Sequence, residues 1–438
     1  MPAVMSCLIP TRLLIWLYTS SSNAFFQWKG AFVKTATVYG VTFLLVLPLL
    51  CHNLPYSVYF IAPHDIEQRP VRLNQHRVEE AEQYLSKLET NGPLKALPTS
   101  SNLQIAIGVV SVSRKVKTVN TKYLTQVMVG LHDIITRAGV ADKVFAFICN
   151  TQKATQTHPE ADDLASYFHV ARFPPNRTRH NAWRHEEEKE SYSFCLETAA
   201  KFNARYVLLM QDDALPHANF YEVVDHLLRH RLESTVSQGQ PVDGAHDWGW
   251  LKLNFPNEFA NYHRSPFFVF DWVALSLVGA SLTSIVYTIY TKQDPPAIPN
   301  PPQKKTYRNR HSWTTYYIFV VSFGYFFLAV WLIGRQYFLR LYGLSKYFAR
   351  LDPGTTCCIP AVLFPQERVA GLVEYLNDVF CKPGFPLDFA LEVYRERENL
   401  RQYLAVPNLF SHIGFYSALR GGTNRGLAYA FLDEFTFL

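Results

Sequence analysis

The feature that most constrains this chain is a pair of long apolar stretches in its middle. Residues 266–290 are apolar apart from a single acid, Asp271, and residues 313–334 carry no charge. Each stretch is long enough to cross the hydrocarbon core of a bilayer as one helix. The proline-rich loop between them, 291–312, contains five Lys or Arg residues against one Asp, and short basic loops stay in the cytosol. The sequence therefore predicts a membrane hairpin with a cytosolic loop.

A third apolar stretch, residues 31–51, lies near the N-terminus and is preceded by basic residues. No small-residue cleavage site follows it, so we interpret it as an uncleaved signal-anchor helix rather than a signal peptide. The positive-inside rule then gives a cytosolic tail at 1–30 and places the soluble parts, 52–265 and 335–438, on the opposite side. Residues 52–100 are polar and contain several prolines, so they are predicted to form a stem with one helix.

The net charge of +6 does not indicate nucleic-acid binding, because no basic run is interleaved with aromatic residues. Part of the positive excess is explained by the cytosolic segments that the membrane topology requires. A transporter is also disfavoured, since the three spans lack the paired polar sites and inverted repeats that carriers use. We therefore expect the function to reside in the soluble parts.

The region 101–265 alternates strand and helix patterns, which is typical of a parallel, doubly wound sheet. The predicted elements are strand 103–113, helix 121–138, strand 144–149, helix 184–202, strand 207–210 and strand 247–255. The region 335–438 continues with strand 355–364, helix 367–380, helix 388–404 and an extended segment 406–414. Because this second part lacks the repeated pattern of an independent α/β domain, we expect it to complete the first sheet. The predicted fold class is α/β, a doubly wound, mostly parallel sheet split by the membrane hairpin.

The apolar strand 207–210 ends in Gln211, Asp212 and Asp213. A short continuous apolar run is typical of a strand buried on both faces. Open α/β sheets bind ligands at the carboxyl ends of such strands, and two carboxylates there suit Mg²⁺ or Mn²⁺ together with substrate phosphates. A solvated turn, or an N-cap for the helix predicted at 218–230, is the alternative.

The seven cysteines include no CxxC pair and no Cys/His spacing of a zinc site. Disulfides can form if the soluble parts are lumenal, and Cys149 with Cys195 is the first candidate pair; free buried thiols are the alternative. Asn176 opens the one N-glycosylation sequon of the sequence, which is consistent with a lumenal location.

Four segments carry a resemblance to a known family, and they keep one order around the three spans: 207–216, 251–256, 361–365 and 407–414. Over roughly residues 100–438, the chain is similar to the Golgi GPI-anchor side-chain N-acetylgalactosamine transferases. These are glycosyltransferases of the GT-A fold whose catalytic domain is interrupted by a transmembrane hairpin. The family usually has a glutamate before the acidic pair, where this chain has Gln211.

The resemblance implies an inverting glycosyltransferase that moves GalNAc from UDP-GalNAc to a mannose of the GPI-anchor glycan. It also implies a Golgi membrane location, a lumenal GT-A domain built from 101–265 and 335–438, and Mn²⁺ or Mg²⁺ as the cofactor. The partners would be a UDP-sugar donor and an acceptor anchored in the membrane. Two alternatives stay open: a UDP-GlcNAc-dependent transferase acting on another glycan, and a non-catalytic GT-A-like membrane scaffold, which Gln211 favours.

Within this resemblance, Asp213 is the expected metal ligand, Asp212 faces the ribose or the ion, and His412 completes the metal or diphosphate site. The other expected donor-binding residues are Val109, Ser111, Arg114 and Gln211. The alternatives are ordinary ones: a hydrogen-bonded structural histidine at 412 and strand-end packing for the residues that end the first strand.

An inverting transfer also needs a general base for the acceptor hydroxyl. Asp388, at the start of the helix predicted at 388–404, is the first choice for this base, and Glu258 is the second. Helix N-capping is the alternative role of Asp388.

Overall fold

The structure is a computed structural model, and it describes the following residues: 24–66, 68–89, 102–114, 121–153, 156–175, 183–233, 248–257, 260, 266–293, 301–417 and 422–423. The predictions for Asn176 and Glu258 lie outside the described residues. The chain divides into two compact units, with boundaries after His64, Pro256 and Phe338. One unit holds the apolar helices, and the other holds the α/β sheet.

The elements up to the membrane hairpin follow in chain order. They are α1 (Ala24–Val41), α2 (Leu47–Cys51), α3 (Arg69–Glu89), β1 (Ile105–Ser111), α4 (Tyr123–Arg137), β2 (Val144–Asn150), α5 (Pro159–Leu164), β3 (Val170–Arg172), α6 (Arg184–Ala200), β4 (Tyr206–Gln211), β5 (Ala214–Pro216), α7 (Phe220–Leu227) and β6 (Trp248–Lys252). π-helical turns at Thr42–Val46 and Leu228–Leu232 extend α1 and α7.

The remaining elements begin with the hairpin itself. They are α8 (Pro266–Gln293), α9 (Pro301–Ile333), α10 (Arg335–Leu339), β7 (Arg350–Pro353), β8 (Ala361–Pro365), α11 (Gln366–Asp378), α12 (Leu387–Arg397), β9 (Arg401–Val406), β10 (Phe410–His412), β11 (Tyr416–Ser417) and β12 (Gly422–Thr423). Two short 3-10 turns, Arg340–Leu344 and Lys346–Phe348, lie between α10 and β7.

Three helical segments are long and apolar enough to cross a membrane: Phe32–Cys51, Phe268–Thr291 and Trp313–Ile333. The sequence-based prediction of three such helices is therefore confirmed. In the hairpin, α8 and α9 approach closely at Gly279, where an added Cβ would lie 2.5 Å from Cγ of Phe326. The indole of Trp272 stacks on Phe327 with ring centroids 3.8 Å apart. Small residues and stacked aromatic rings allow this close helix packing.

The acid at the start of the hairpin is paired. Arg335, at the start of α10, donates from Nη2 to Oδ2 of Asp271 at 2.7 Å, and the guanidinium lies 3.7 Å from the ring centroid of Phe268. Arg335 is 2% exposed. A buried charge is tolerated when it is paired and hydrogen-bonded in this way. The ion pair joins the beginning of α8 to the beginning of α10.

In the described part of the chain, the main sheet has eight strands in the order β3-β2-β1-β4-β8-β6-β9-β7. Strands β1 to β4 run parallel to one another, and β6 pairs in parallel with β9. Strand β8 is antiparallel to both of its neighbours, β4 and β6. In the sequence, β4 and β6 precede the hairpin and β8 and β9 follow it. One sheet is therefore built from the chain segments before and after the hairpin. The predicted split, mostly parallel α/β sheet is confirmed.

Both faces of the sheet are covered, which explains the continuous apolar strands. On one face, α4 and α7 pack against a core that includes Ile107 and Leu208. On the other face, α6, α11 and α12 pack against a core that includes Val207 and Trp250. Neighbouring residues of β4, such as Val207 and Leu208, therefore point to opposite faces, as strand geometry requires.

Two disulfides are present among the described residues. Cys149, in β2, bonds to Cys195, in α6, with Cα atoms 5.9 Å apart. Cys357 and Cys358, which are adjacent in the sequence, form the second. The first disulfide ties α6 covalently to β2.

The region after the hairpin contains the largest errors of the sequence-based prediction. The helix predicted at 388–404 ends at Arg397, and Arg401–Val406 forms strand β9. Asn399 has φ 52° in the turn that separates the two elements. Strand β9 lies between β6 and β7 and pairs with both. These pairings exist only in the assembled sheet, and they override the local helix preference of the segment.

The strand predicted at 355–364 begins only at Ala361. The backbone carbonyls of Thr355, Thr356 and Cys357 instead accept hydrogen bonds from Nζ of Lys252. Buried backbone carbonyls need a partner, and this lysine supplies it in place of a neighbouring strand.

The helix predicted at 75–88, within the proposed stem, begins earlier, at Arg69. It packs on α4 of the α/β unit. Asn74 accepts a hydrogen bond from Nε2 of Gln126 at 2.9 Å, and Tyr84 bonds to His132 at 2.9 Å. The described part of this segment after His64 therefore belongs to the same compact unit as the sheet.

Candidate functional site

Six strands end at the same edge of the main sheet. Strands β1, β2, β3, β4, β6 and β9 all run in one direction, whereas β7 and β8 run in the other and so begin at this edge. The edge therefore carries Ser111 from β1, Asp212 and Asp213 directly after β4, and Lys252 from β6. This is the edge at which open α/β sheets bind ligands.

Asp212 is held at both of its carboxylate oxygens. The hydroxyl of Ser111 donates to Oδ2 at 2.8 Å, and Nη2 of Arg114 donates to Oδ1. The residue is 5% exposed, and this burial raises the pKa of Asp212 while the positive charge of Arg114 opposes the rise. Asp212 is therefore an oriented acceptor with little freedom to rotate.

Asp213 differs from Asp212 because one of its oxygens has no partner. Nη2 of Arg114 donates to Oδ2 at 2.8 Å, and Nε2 of His412 lies 3.4 Å from the same oxygen. Oδ1 is buried, and no hydrogen-bond partner for it exists among the described residues. Burial opposes ionisation, but Arg114 and His412 outweigh it and hold the pKa of Asp213 below its usual range. Asp213 is therefore a carboxylate with a free, buried oxygen.

His412 reaches Asp213 through a small antiparallel ribbon. Strand β10 pairs with β5, so that His412 lies opposite Ala214. The backbone N–H of Ile413 then donates to the carbonyl of Asp213 at 2.8 Å. Gly414 completes the turn, and an added Cβ there would lie 2.1 Å from Oδ2 of Asp213. Only glycine leaves room for the acidic side chain at this position.

The guanidinium of Arg114 is fixed from three sides. Besides the two carboxylates, it donates from Nη1 to the carbonyl of Tyr416 at 2.6 Å. It also lies 4.8 Å from the ring centroid of Tyr123 in α4, which is a cation–π contact. The single positive charge of Arg114 thus offsets half of the formal charge of the acidic pair, and a bridging group of this shape requires the planar fork of arginine.

A divalent ion fits Asp213 and His412 better than it fits Asp212. Among the described residues, no group of three His, Cys, Asp or Glu side chains is arranged to hold a metal ion. Mg²⁺-type ions, however, commonly take one or two protein ligands and complete their coordination with phosphate oxygens and water. Oδ1 of Asp213 is unpartnered, whereas both oxygens of Asp212 are engaged. The donor set therefore suits an ion that is shared with a phosphorylated substrate.

Of the other expected donor-binding residues, some contact the acidic pair and others do not. Ser111 and Arg114 contact the acidic pair directly. The backbone N–H of Gln211 donates to Pro360 at 2.8 Å, which is a sheet-edge contact. Val109 is fully buried in the core beneath α4, so its side chain does not reach the edge.

Asp388 lies in the first turn of α12. The chain runs away from the ligand-binding edge along β8 and back toward it along α11. The next helix, α12, therefore begins near this edge. Within the described part of the chain, the side chain of Asp388 accepts one hydrogen bond, from the adjacent N–H of Phe389 at 3.0 Å. Its charge acts on two neighbours, Glu188 and Lys252. The residue thus belongs to a charged group at the same edge, on the face covered by α6 and α12.

That charged group contains titratable side chains that sequence reasoning missed. Desolvation, helped by the charge of Asp388, raises the pKa of Glu188 to about 7. Burial lowers the pKa of Lys252 to about 8, although Asp388 acts in the opposite direction. Glu188 lies in a run of charged residues that is most simply a solvated helix face, so no local signal distinguishes it. Its position at the N-terminal end of α6 decides its environment.

A family comparison accords with this geometry. The family described as GPI-N-acetylgalactosamine transferase PGAP4 matches residues 105–411. The match begins with β1, includes the acidic pair and the membrane hairpin, and reaches Ser411, directly before His412. It covers well over half of the 438 residues. The chain is thus a glycosyltransferase that belongs to the GPI-N-acetylgalactosamine transferase PGAP4 family.

Proposed function

We propose that the protein transfers GalNAc from UDP-GalNAc to a mannose of the GPI glycan with inversion at the anomeric carbon. The observation that carries this proposal is the pairing of Asp213, with its unpartnered Oδ1, and His412 at the ligand-binding edge. The family to which the chain belongs supports the sugar and the acceptor class.

Asp213 and His412 would hold Mn²⁺ or Mg²⁺ in this proposal. When bound, such an ion supplies positive charge to the diphosphate that leaves with the nucleotide. Asp212, oriented by Ser111 and Arg114, would accept hydrogen bonds from the ribose hydroxyls of the donor. Arg114 keeps the two carboxylates from repelling each other before the donor arrives.

Asp388 is the proposed general base. It would accept the proton of the acceptor hydroxyl as that oxygen attacks the anomeric carbon. Its place in the first turn of α12, at the edge that carries Asp213, supports this role. Among the residues that the structure describes, its carboxylate accepts only a local hydrogen bond from Phe389 and forms no ion pair.

The proposed location is the Golgi membrane, with a cytosolic N-terminus and a lumenal α/β unit. The basic residues of the loop 291–312 support a cytosolic hairpin loop. The disulfide between Cys149 and Cys195 accords with an oxidising lumen. A membrane-integral enzyme suits an acceptor that is itself held in the bilayer by lipid.

The test uses the full-length protein, purified in detergent, with a GPI-type glycan acceptor and Mn²⁺. We expect release of UDP from UDP-GalNAc that depends on the acceptor and is abolished by a chelator. Turnover of UDP-GlcNAc in place of UDP-GalNAc would overturn the proposed donor. Absence of any UDP release by folded protein would overturn the enzymatic role and leave the scaffold interpretation.

A further inference from the structure

His158 lies behind the acidic pair and was not singled out by any sequence pattern. It precedes α5 and is 3% exposed. Its Nδ1 accepts a hydrogen bond from the backbone N–H of Ala161 at 3.4 Å. An imidazole nitrogen that accepts a hydrogen bond carries no proton, so the ring hydrogen must be on Nε2.

This tautomer determines the direction of a chain of hydrogen bonds. Nε2 of His158 lies 2.8 Å from Oγ of Ser111 and donates to it. The Ser111 hydroxyl has one hydrogen of its own, and it donates that hydrogen to Oδ2 of Asp212, also at 2.8 Å. Burial lowers the pKa of His158 to about 4, so the neutral ring keeps this arrangement at physiological pH.

Ser111 itself cannot move away from this chain. Its backbone carbonyl accepts from the N–H of Thr151 at 2.9 Å and from the hydroxyl of the same residue at 3.0 Å. The hydroxyl cannot turn its hydrogen toward the imidazole N–H that donates to it, and turning it in another direction would take the hydrogen bond from the buried Oδ2 of Asp212. Loss of a hydrogen bond by a buried carboxylate oxygen is unfavourable, so the hydroxyl is fixed toward Asp212.

We propose that His158 is a positioning residue for the donor nucleotide, acting through Ser111 to fix the plane of the Asp212 carboxylate. Arg114 holds Oδ1 of Asp212 and the Ser111 hydroxyl holds Oδ2, so loss of either anchor frees the carboxylate to rotate. The inference rests on the proposed function, because it requires that Asp212 contacts the nucleoside part of a UDP-sugar.

The test measures UDP binding by the full-length protein in detergent with Mn²⁺ and without acceptor, using isothermal titration calorimetry. The variants are His158→Phe, His158→Gln, Ser111→Ala and the double variant with Ser111→Ala and His158→Phe. We expect His158→Phe and Ser111→Ala each to weaken UDP binding by about tenfold, the size of one hydrogen bond to a charged group. The double variant should bind no more weakly than either single one.

The glutamine variant separates positioning from a structural role. Its side-chain amide can donate to Ser111 as the imidazole does, so His158→Gln should bind UDP within about threefold of the wild type. In transfer assays, we expect His158→Phe to raise the KM for UDP-GalNAc more than it lowers kcat. Ser111→Ala leaves the cap of α5 intact, so it removes the hydrogen bond to Asp212 without disturbing the start of that helix.

Four outcomes would overturn the inference. UDP binding by Ser111→Ala equal to that of the wild type would show that the chain does not position Asp212. Additive losses in the double variant would show that His158 and Ser111 act separately. Failure of the folded wild type to bind UDP would overturn both the proposed function and this inference. If the wild type binds UDP and His158→Phe binds it equally well, only the inference is overturned.

Discussion

Nε2 of His412 lies 3.4 Å from Oδ2 of Asp213, although the two residues stand on opposite sides of the membrane hairpin in the sequence. The pairing of β10 with β5 brings them together. This proximity would let His412 and the unpartnered Oδ1 of Asp213 hold one ion together. The candidate metal ligands are therefore assembled by the fold and not by a contiguous motif.

Replacement of Asp213 by asparagine should lower the rate of transfer by at least about a hundredfold, because the neutral amide cannot balance a divalent ion beside the diphosphate. Initial rates of UDP release at saturating Mn²⁺ measure the effect. Asp133→Asn is the matched control, since Asp133 pairs with Arg137 on the exposed side of α4. Activity of Asp213→Asn equal to that of this control would contradict the assignment of Asp213.

Replacement of His412 by alanine should shift the Mn²⁺ concentration needed for half-maximal activity upward by about tenfold, because one neutral nitrogen ligand is lost while the carboxylate stays. A Mn²⁺ titration of the transfer rate shows the shift. His76→Ala is the control, since His76 is an exposed residue of α3. An unchanged Mn²⁺ dependence would mean that His412 has only a structural role.

Replacement of Arg114 by methionine should lower the free energy of unfolding by about 3–5 kcal/mol, because two buried carboxylates lose their common cation. Thermal unfolding of the detergent-solubilised protein at pH 7 measures the loss. Arg137→Met should change stability by less than about 1 kcal/mol, because its ion pair with Asp133 is exposed. Equal effects of the two substitutions would contradict the buried bridge.

Replacement of Asp388 by asparagine should lower kcat by about a hundredfold or more, because the acceptor hydroxyl loses its base. UDP binding in the presence of Mn²⁺ should stay within about twofold of the wild type, since Asp388 lies in the group with Glu188 and Lys252. Asp378→Asn, at the exposed end of α11, is the control. An unchanged kcat would place the base elsewhere.

Because His158 is buried and neutral, the stability of the folded protein should decrease as the pH is lowered. The pKa of this histidine is 6.5 in the unfolded chain and about 4 in the folded protein. Between these values, the unfolded chain takes up a proton that the folded protein refuses, so stability is full above 6.5 and is lost as pH falls toward 4. The expected loss between pH 7 and pH 5 is about 2 kcal/mol.

Thermal melting of the wild type and of His158→Gln at pH 7 and pH 5 checks this contribution. The glutamine does not titrate, so its melting temperature should fall less than that of the wild type over the same interval. Parallel decreases in the two proteins would show that His158 does not contribute to the pH dependence.

Local chemistry was enough to predict the framework of this protein. The three apolar spans are read from length and charge, because a bilayer imposes both on any segment that crosses it. The strand before Asp212 is read from its continuous apolar run, because β4 is covered on both faces. Both features are set by residues that are close in the sequence, so the local sequence is enough to predict them.

Pairing across the sheet decided what local chemistry could not. Segment 401–406 continues a helical pattern in the sequence but forms β9 between two strands from distant parts of the chain. Val109 lies two residues before the end of β1, and strand alternation turns its side chain into the core. The face that a residue presents depends on register, which the neighbouring strands set.

The sequence by itself determined the membrane spans, the split α/β architecture and the acidic pair at the end of a buried strand. Only the tertiary structure decided that Asp212 is anchored by Ser111 and Arg114, that Asp213 keeps a free oxygen beside His412, and that His158 stands behind Ser111. Hydrogen bonds between side chains far apart in the chain depend on distances that exist only after the strands have paired and the helices have packed against them.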